Sequence, residues 1–441
     1  MALVCAAFLL ALALVATPTF AQAPVDSSLA AYIAGIRAVD NHAHPMRAIP
    51  AGAPADTEFD ALPLDALPPF NVPWRLRTEN PEWLVGRRAL YGIGGDTGSS
   101  FRDAFNAARS RVIAAQGARF PEWVLDQVGT EVMFANRIAL GPSLVPPRFR
   151  WVPFADALML PLDTRIVAAL TPDTRSLYKK EATLLRRYLS DLGMRTIPRD
   201  LDSYVRLVVV PTLQRQRSGG AVAEKFEAAY LRALDFDDPD PARARHIYAK
   251  YAAGGSPGAA EYKTLEDYLF RVIARECGRL GLAIHIHATD IAGGFYLSRG
   301  SAPHLLEPVF NDSTLRGTNF VIVHGGWPLV GQTMSMLNKP NVYADISMMV
   351  LVLEPMQLAG VLRQWLAEWP EKVLYGSDAF DGGPDQGWEE VAWMAATTAR
   401  RALGIALTGM LRDGEITRDR AQTLARMVLR ENALRLYRLS G

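Results

Sequence analysis

Short apolar runs recur along the whole chain, near residues 36–42, 129–137, 149–160, 219–226, 281–288, 318–325, 341–347 and 371–378. Each ends in glycine, proline or a polar residue, as buried strands do. Between the later runs the apolar positions return with helical spacing, for example over Leu265–Leu280 and Leu351–Glu368. Strands alternating with helices imply parallel pairing, because a parallel neighbour is reached only through a crossover. Eight such units predict an α/β fold, a closed (β/α)8 TIM barrel rather than an open sheet. The stretch from Gln386 to Arg438 reads as two or more extra C-terminal helices that finish the outer ring.

Two stretches exceed what a minimal barrel needs. Residues 46–128 follow the first strand and are rich in Pro, Gly and Trp, including Trp74, Trp83 and Gly92-Ile93-Gly94-Gly95-Asp96. No GK[ST] follows those glycines, so they are not a phosphate loop. Residues 161–218 form a second, mostly helical insertion. Asp235–Gly258 is a third excursion, with loop composition at Asp237–Pro241 and Gly254–Gly258. Insertions after barrel strands lie at the catalytic face and often cap the site.

Composition narrows the class. With 441 residues, a net charge of +1 and 49% apolar residues, the chain has the make-up of an ordinary globular enzyme. Nothing in that balance points to nucleic acid or an anionic membrane as partner. Residues 1–23 stand apart as a secretory signal peptide. Ala2–Val15 is nearly unbroken apolar sequence, and Thr19-Phe20-Ala21 and Ala21-Gln22-Ala23 both offer small-residue cleavage sites. No Lys or Arg precedes the apolar core. A membrane anchor is the alternative, although the run falls short of the ~20 residues that a spanning helix needs. The expectation is an exported protein, periplasmic or secreted, with no membrane attachment after cleavage and residues 24–441 as a single barrel domain. Of the two cysteines, cleavage removes Cys5 and leaves Cys277, which lies on an amphipathic helical pattern and reads as buried and structural.

The histidines change the picture most. There are seven, and five fall at the ends of strand-like runs: His42 and His44 in Asp40-Asn41-His42-Ala43-His44, His285 and His287 in Ile284-His285-Ile286-His287, and His324 before Gly325-Gly326. The last run ends in Tyr375-Gly376-Ser377-Asp378. Residues i and i+2 of a strand share a face, so His42 and His44 can grip one ion from one wall. Imidazole and carboxylate suit zinc, iron or manganese. In a barrel the strand ends converge on one mouth, which brings His42, His44, His287, His324 and Asp378 together as candidate metal ligands with a position left for water. A metal there lowers the pKa of bound water toward about 7, and Asp378 can accept and pass on its proton. His285 sits one pleat deeper, as a core or supporting histidine. His246 and His304 read as surface and loop residues. Lys225, near the end of the fourth run, is costly among apolar neighbours unless paired or modified. Its readings are an ion pair with Glu227 or Asp378, a contact to a substrate carboxylate, or a carbon dioxide adduct bridging two metals. Arg47, Tyr230 and Arg232 are candidates to hold a substrate carboxylate.

These pieces, in this order, resemble the amidohydrolase superfamily, and within it the amidohydrolase-related (amidohydrolase-2) branch. The resemblance rests on Asp40–His44, on Lys225 within Ala223–Tyr230, on His287, on Val323-His324-Gly325-Gly326-Trp327-Pro328 and on Tyr375–Asp378. It implies a distorted (β/α)8 barrel with one or two divalent ions, zinc foremost, at its mouth. It marks His42, His44, His287, His324 and Asp378 as the site, and Lys225 as a position where some members carry a carboxylated or substrate-facing lysine. One departure stands out: relatives commonly have a Thr-Gly step after the fifth-strand histidine, where this chain has Ala288-Thr289-Asp290. The expected activity is hydrolysis of an amide, ester or lactone of a small molecule. Metal-dependent non-oxidative decarboxylation is the alternative within enzymes, and an exported binding protein without turnover is the alternative outside them. Association into a homo-oligomer stays open.

Overall fold

The computed structural model of the protein describes residues 25–49, 52–63, 72–93, 99–289, 296–383 and 386–439. The expected leader, residues 1–23, lies outside them, as do Gly94, Gly95 and Asp290. Eight parallel strands appear where the apolar runs predict them: β1 (Ala38–Ala43), β2 (Thr130–Asn136), β3 (Phe149–Val152), β4 (Ala223–Phe226), β5 (Ala283–His287), β6 (Phe320–Val323), β7 (Val342–Asp345) and β8 (Val373–Leu374). They hydrogen-bond in chain order, β1-β2-β3 in one sheet and β4-β5-β6-β7-β8 in the other.

Neither seam between the two sheets carries a regular ladder, which is where the barrel is distorted. At the first, single bridges join Trp151 to Ala221 and Phe154 to Lys225, and the Lys225 N–H donates to the Pro153 carbonyl at 2.7 Å. At the second, Asn41 N–H donates to the Tyr375 carbonyl at 2.8 Å, Asp378 N–H to the His42 carbonyl at 2.7 Å and His44 N–H to the Ala379 carbonyl at 2.7 Å. These last bonds lock the two segments that carry the first and last candidate ligands.

The third strand is shorter than its apolar run suggests. It stops at Val152, and the chain turns through Asp156–Met159 instead. Pro153 offers no N–H for a continuing ladder, and its carbonyl is spent on Lys225. The first insertion contains helices Glu82–Tyr91, Ser99–Gln116 and Phe120–Gln127, and the second contains Arg175–Asp191 and Val210–Ser218. Helices Ala259–Leu280 and Pro355–Glu368 fill the predicted crossovers. The C-terminal helices are Trp388–Arg412, Arg418–Arg426 and Asn432–Leu436. Among the described residues, no helix is long and apolar enough to cross a membrane. Cys277 is fully buried.

The core has two layers, as a barrel requires. The larger lies between strands and helices. The smaller lines the barrel and contains Val39, Val132, Phe134, Val152, Ala223, Ala283, Val321 and Leu374, with Ala433 and Leu436 from the last helix. Leu434, Tyr437 and Leu439 pack against it. The C-terminal segment therefore seals the end where the strands begin, and the strand ends stay free for chemistry.

Candidate metal centre

The β1 ladder slips register between Asp40 and Ala43. Asp40 Oδ1 accepts the N–H groups of His42 at 3.3 Å and Ser377 at 2.8 Å, so one buried carboxylate ties the end of β1 to the loop after β8. His42, His44 and Asp378 are thereby drawn together. One ligand atom from each lies within 4.8 Å of the others, and all three residues are buried. His42 Nε2 stands 3.1 Å from Asp378 Oδ1, and His44 Nε2 stands 3.8 Å from the same oxygen. The His42 and His44 rings meet edge to face, with centroids 5.1 Å apart.

Gly376 permits this approach. A β-carbon there would lie 2.9 Å from Ser347 Cβ and 3.3 Å from His42 Cβ. Two ligand candidates also hold strained backbone: Asp378 has φ 53° and His324 φ 66°. Such left-handed conformations cost about 1–3 kcal/mol in a non-glycine residue and cluster at functional sites.

His324 and His287 stand beside the group rather than within it. His324 Nδ1 is 3.6 Å from Asp378 Oδ2 and 3.0 Å from Ser347 Oγ. Its Nε2 is 3.1 Å from His287 Nδ1. His287 keeps Nε2 buried and without a hydrogen-bond partner. Orphaned imidazole nitrogens in a buried pocket are the form expected of ligands awaiting an ion. Burial holds His42, His287 and His324 well below the usual histidine range and brings His44 down to about 4, so the rings are neutral. Burial also pushes the Asp378 carboxyl up to about 7, with Lys225 pulling the other way. The donor set fits a divalent ion.

Lys225 is 1% exposed and aims its amine inward. Nζ lies 3.5 Å from His42 Nε2 and 3.7 Å from Glu227 Oε1, so the ion pair with Glu227 forms. Of the three substrate-binding candidates, Tyr230 meets the site: its ring lies 4.3 Å from that of His287. The other two are engaged elsewhere. Arg47 Nε pairs with Asp56 Oδ1 at 3.1 Å. Arg232 pairs with Asp267 at 2.7 Å and Glu266 at 3.4 Å, with its guanidinium over Phe236. Both arginines are thus paired with carboxylates of the same chain. His246 and His304 are exposed.

Sequence reasoning missed the support beneath the ligands. Asp345, at the end of β7, accepts the His324 N–H at 2.9 Å, the Ser347 hydroxyl at 2.5 Å and the Asn41 amide at 2.8 Å. The Tyr437 hydroxyl donates to Asn41 Oδ1 and lies 2.6 Å from His285 Nε2. His285 thus serves as a supporting histidine. Asp345 obeys the same strand-end rule that exposes His287 and Asp378. Tyr437 has no such signal.

Comparison with known proteins speaks to the fold and the family. No curated protein matches the sequence significantly. Among solved structures, an inferred metal-dependent hydrolase from Lactobacillus casei is 15% identical, with a TM-score of 0.58 over 93% of this chain and 97% of its own. Uronate isomerase from Thermotoga maritima is 13% identical, with a TM-score of 0.62 over 93% of this chain and 96% of its own. Glucuronate isomerase from Caulobacter crescentus is 14% identical, with a TM-score of 0.60 over 94% of each chain. Identities this low establish the shared fold and nothing finer. The model of the amidohydrolase family described as Amidohydro_2 matches residues 199–439, more than half of the chain. With its barrel, its strand-end histidines and Asp378 in place, the chain belongs to the amidohydrolase family.

Proposed function

We propose that the protein is a metal-dependent hydrolase that opens an amide, ester or lactone carbonyl of a small molecule. The observation that carries this reading is the buried convergence of His42, His44 and Asp378 ligand atoms within 4.8 Å. A divalent ion held there, zinc foremost, supplies Lewis acidity and an activated water. The chain's own groups do the rest. Neutral His42 and His44 present lone pairs without first shedding a proton. Asp378 turns Oδ1 toward His42 and His44, and its Oδ2 is the oxygen that can take a proton and return it to a leaving group. Tyr230, packed on His287, forms a wall against which an acyl group is oriented. Lys225 Nζ is placed to meet a substrate carboxylate or to carry a carboxylate adduct.

The test is elemental analysis of the purified chain, wild type against His42→Ala and Asp378→Ala, followed by assay on ester, lactone and amide panels. One or more equivalents of metal, lost in His42→Ala, is the expected result. A protein that neither retains nor takes up metal refutes the reading. We further propose that the mature protein works outside the cytoplasm, on the strength of residues 1–23. N-terminal sequencing of the protein recovered from culture fluid or periplasm tests this, and an intact leader in the cytosol refutes it.

A further inference from the structure

Behind β3, on the side away from the metal centre, the second insertion leaves a cavity of about 440 Å³. Val152 belongs to the layer that lines the barrel, so Trp151 beside it faces outward, toward helices Arg175–Asp191 and Val210–Ser218. The cavity lies at the seam where β3 and the chain around β4 share single bridges instead of a ladder. Its size falls within the ~300–1,000 Å³ usual for small-molecule sites.

Two polar residues on its wall lack partners. Thr212 and Gln216 line the cavity, and each is 4% exposed. They stand four residues apart on helix Val210–Ser218, so they share one face. Among the described residues, Thr212 Oγ1, Gln216 Oε1 and Gln216 Nε2 have no hydrogen-bond partner. A helical threonine often returns its hydroxyl to the carbonyl one turn back, and Thr212 does not. Buried polar atoms left this way are rare in folded proteins and call for a partner.

The wall around them is apolar. Ile138, Leu192 and the Trp151 indole form it. The indole is fixed by its N–H, which donates to the Arg137 carbonyl at 2.9 Å. Gly219 lies against the ring edge, where a β-carbon would stand 3.1 Å from it. At the rim are two exposed charges of opposite sign, Arg215 and Asp191. Neither forms an ion pair among the described residues.

We propose that this cavity binds a dipeptide with an apolar C-terminal side chain. Gln216 presents a donor and an acceptor side by side. In an extended residue the amide N–H and the carbonyl oxygen point the same way, so the peptide N–H and the terminal carboxylate complement that edge. Thr212 is left to meet the remaining carbonyl. Arg215 and Asp191 suit the two charged ends, and Trp151, Ile138 and Leu192 cover the side chain. A dipeptide spans about 7 Å when extended, which a cavity of this size accommodates. Binding there needs no metal ion and stands apart from the hydrolysis proposed above.

The test is calorimetric titration of the full chain with alanyl-leucine, with free leucine and uracil as comparison probes. Each titration is repeated after chelator treatment, so that contact with the metal centre is recognised. Wild type is expected to bind one equivalent of alanyl-leucine at least tenfold more tightly than either comparison probe, with or without chelator. Thr212→Val and Gln216→Leu are each expected to weaken binding by tenfold or more. Neither should lower the melting temperature of the free protein, because an apolar group of similar shape removes an unmet buried polar one. Circular dichroism checks the fold, and if one variant fails to fold the other decides. Binding retained in a folded variant, or lost with chelator, overturns the site. Leucine or uracil bound as tightly as alanyl-leucine overturns the dipeptide assignment. Absence of alanyl-leucine binding in wild type overturns the proposal without any variant.

Discussion

Replacing Tyr437 with Phe removes one oxygen atom and nothing else. The ring keeps its place, 4.6 Å from the Phe134 ring, so no cavity opens. What is lost is the hydroxyl that donates to Asn41 Oδ1 and, in turn, accepts from His285 Nε2–H at 2.6 Å. Both partners are fully buried, so neither finds water instead. An unsatisfied buried polar group costs about 1–3 kcal/mol, which puts the two together at about 2–6 kcal/mol. Asn41 also holds Asp345, which positions the His324 backbone and Ser347. Loosening that chain is expected to weaken metal affinity toward the lower end of the ten- to hundredfold range typical of outer partners. Urea unfolding of the metal-free protein gives the first number, and competition with a chromophoric chelator gives the second. A stability change under about 0.5 kcal/mol together with an unchanged metal affinity would refute the claim that the C-terminus supports the site.

Other expectations follow from the same geometry. Gly376→Ala drives a methyl against Ser347 and His42; it should cost about 1–3 kcal/mol and at least tenfold in metal affinity, read by the same two assays. Asp378→Asn keeps the shape but cannot take a proton, so kcat should fall by about 10²–10⁴-fold; a fall under threefold with metal retained would remove Asp378 from proton transfer. Metal uptake should also depend on pH. An ion binds the ionised Asp378 carboxylate, whose pKa in the ion-free protein is raised to about 7, chiefly by burial. Below that value each ion displaces one proton, so apparent affinity should fall about tenfold per pH unit, and above it the curve should flatten. A flat profile from pH 5 to 8 would show that Asp378 is not exchanging a proton for the ion.

The strands were legible where burial on both faces writes them as apolar runs, as in Phe320–Val323, while Ala38–Ala43 and Ala223–Phe226 carry polar residues within the run. His42, His44 and Asp378 were legible because a barrel brings strand ends together, whatever their separation in sequence. The same rule is coarser for His287 and His324, which reach the neighbourhood but meet each other first. Arg47 and Arg232 are paired with carboxylates that the sequence did not single out. A guanidinium near a strand end looks available until its carboxylate is seen: Asp56 comes from an insertion without periodic pattern, and Glu266 and Asp267 from a crossover helix whose spacing shows that it is a helix but not what its polar side meets. Glu227 was visible only as a partner for Lys225.

The floor of the barrel has a consequence for how the protein is made. Every proposed ligand lies at or before Asp378, yet Asn41 and His285 both lean on Tyr437. A chain emerging from the ribosome therefore carries all its ligands well before it can hold them firmly. The C-terminal segment therefore acts as a late latch, since Asn41 and His285 gain their shared partner only when Tyr437 docks.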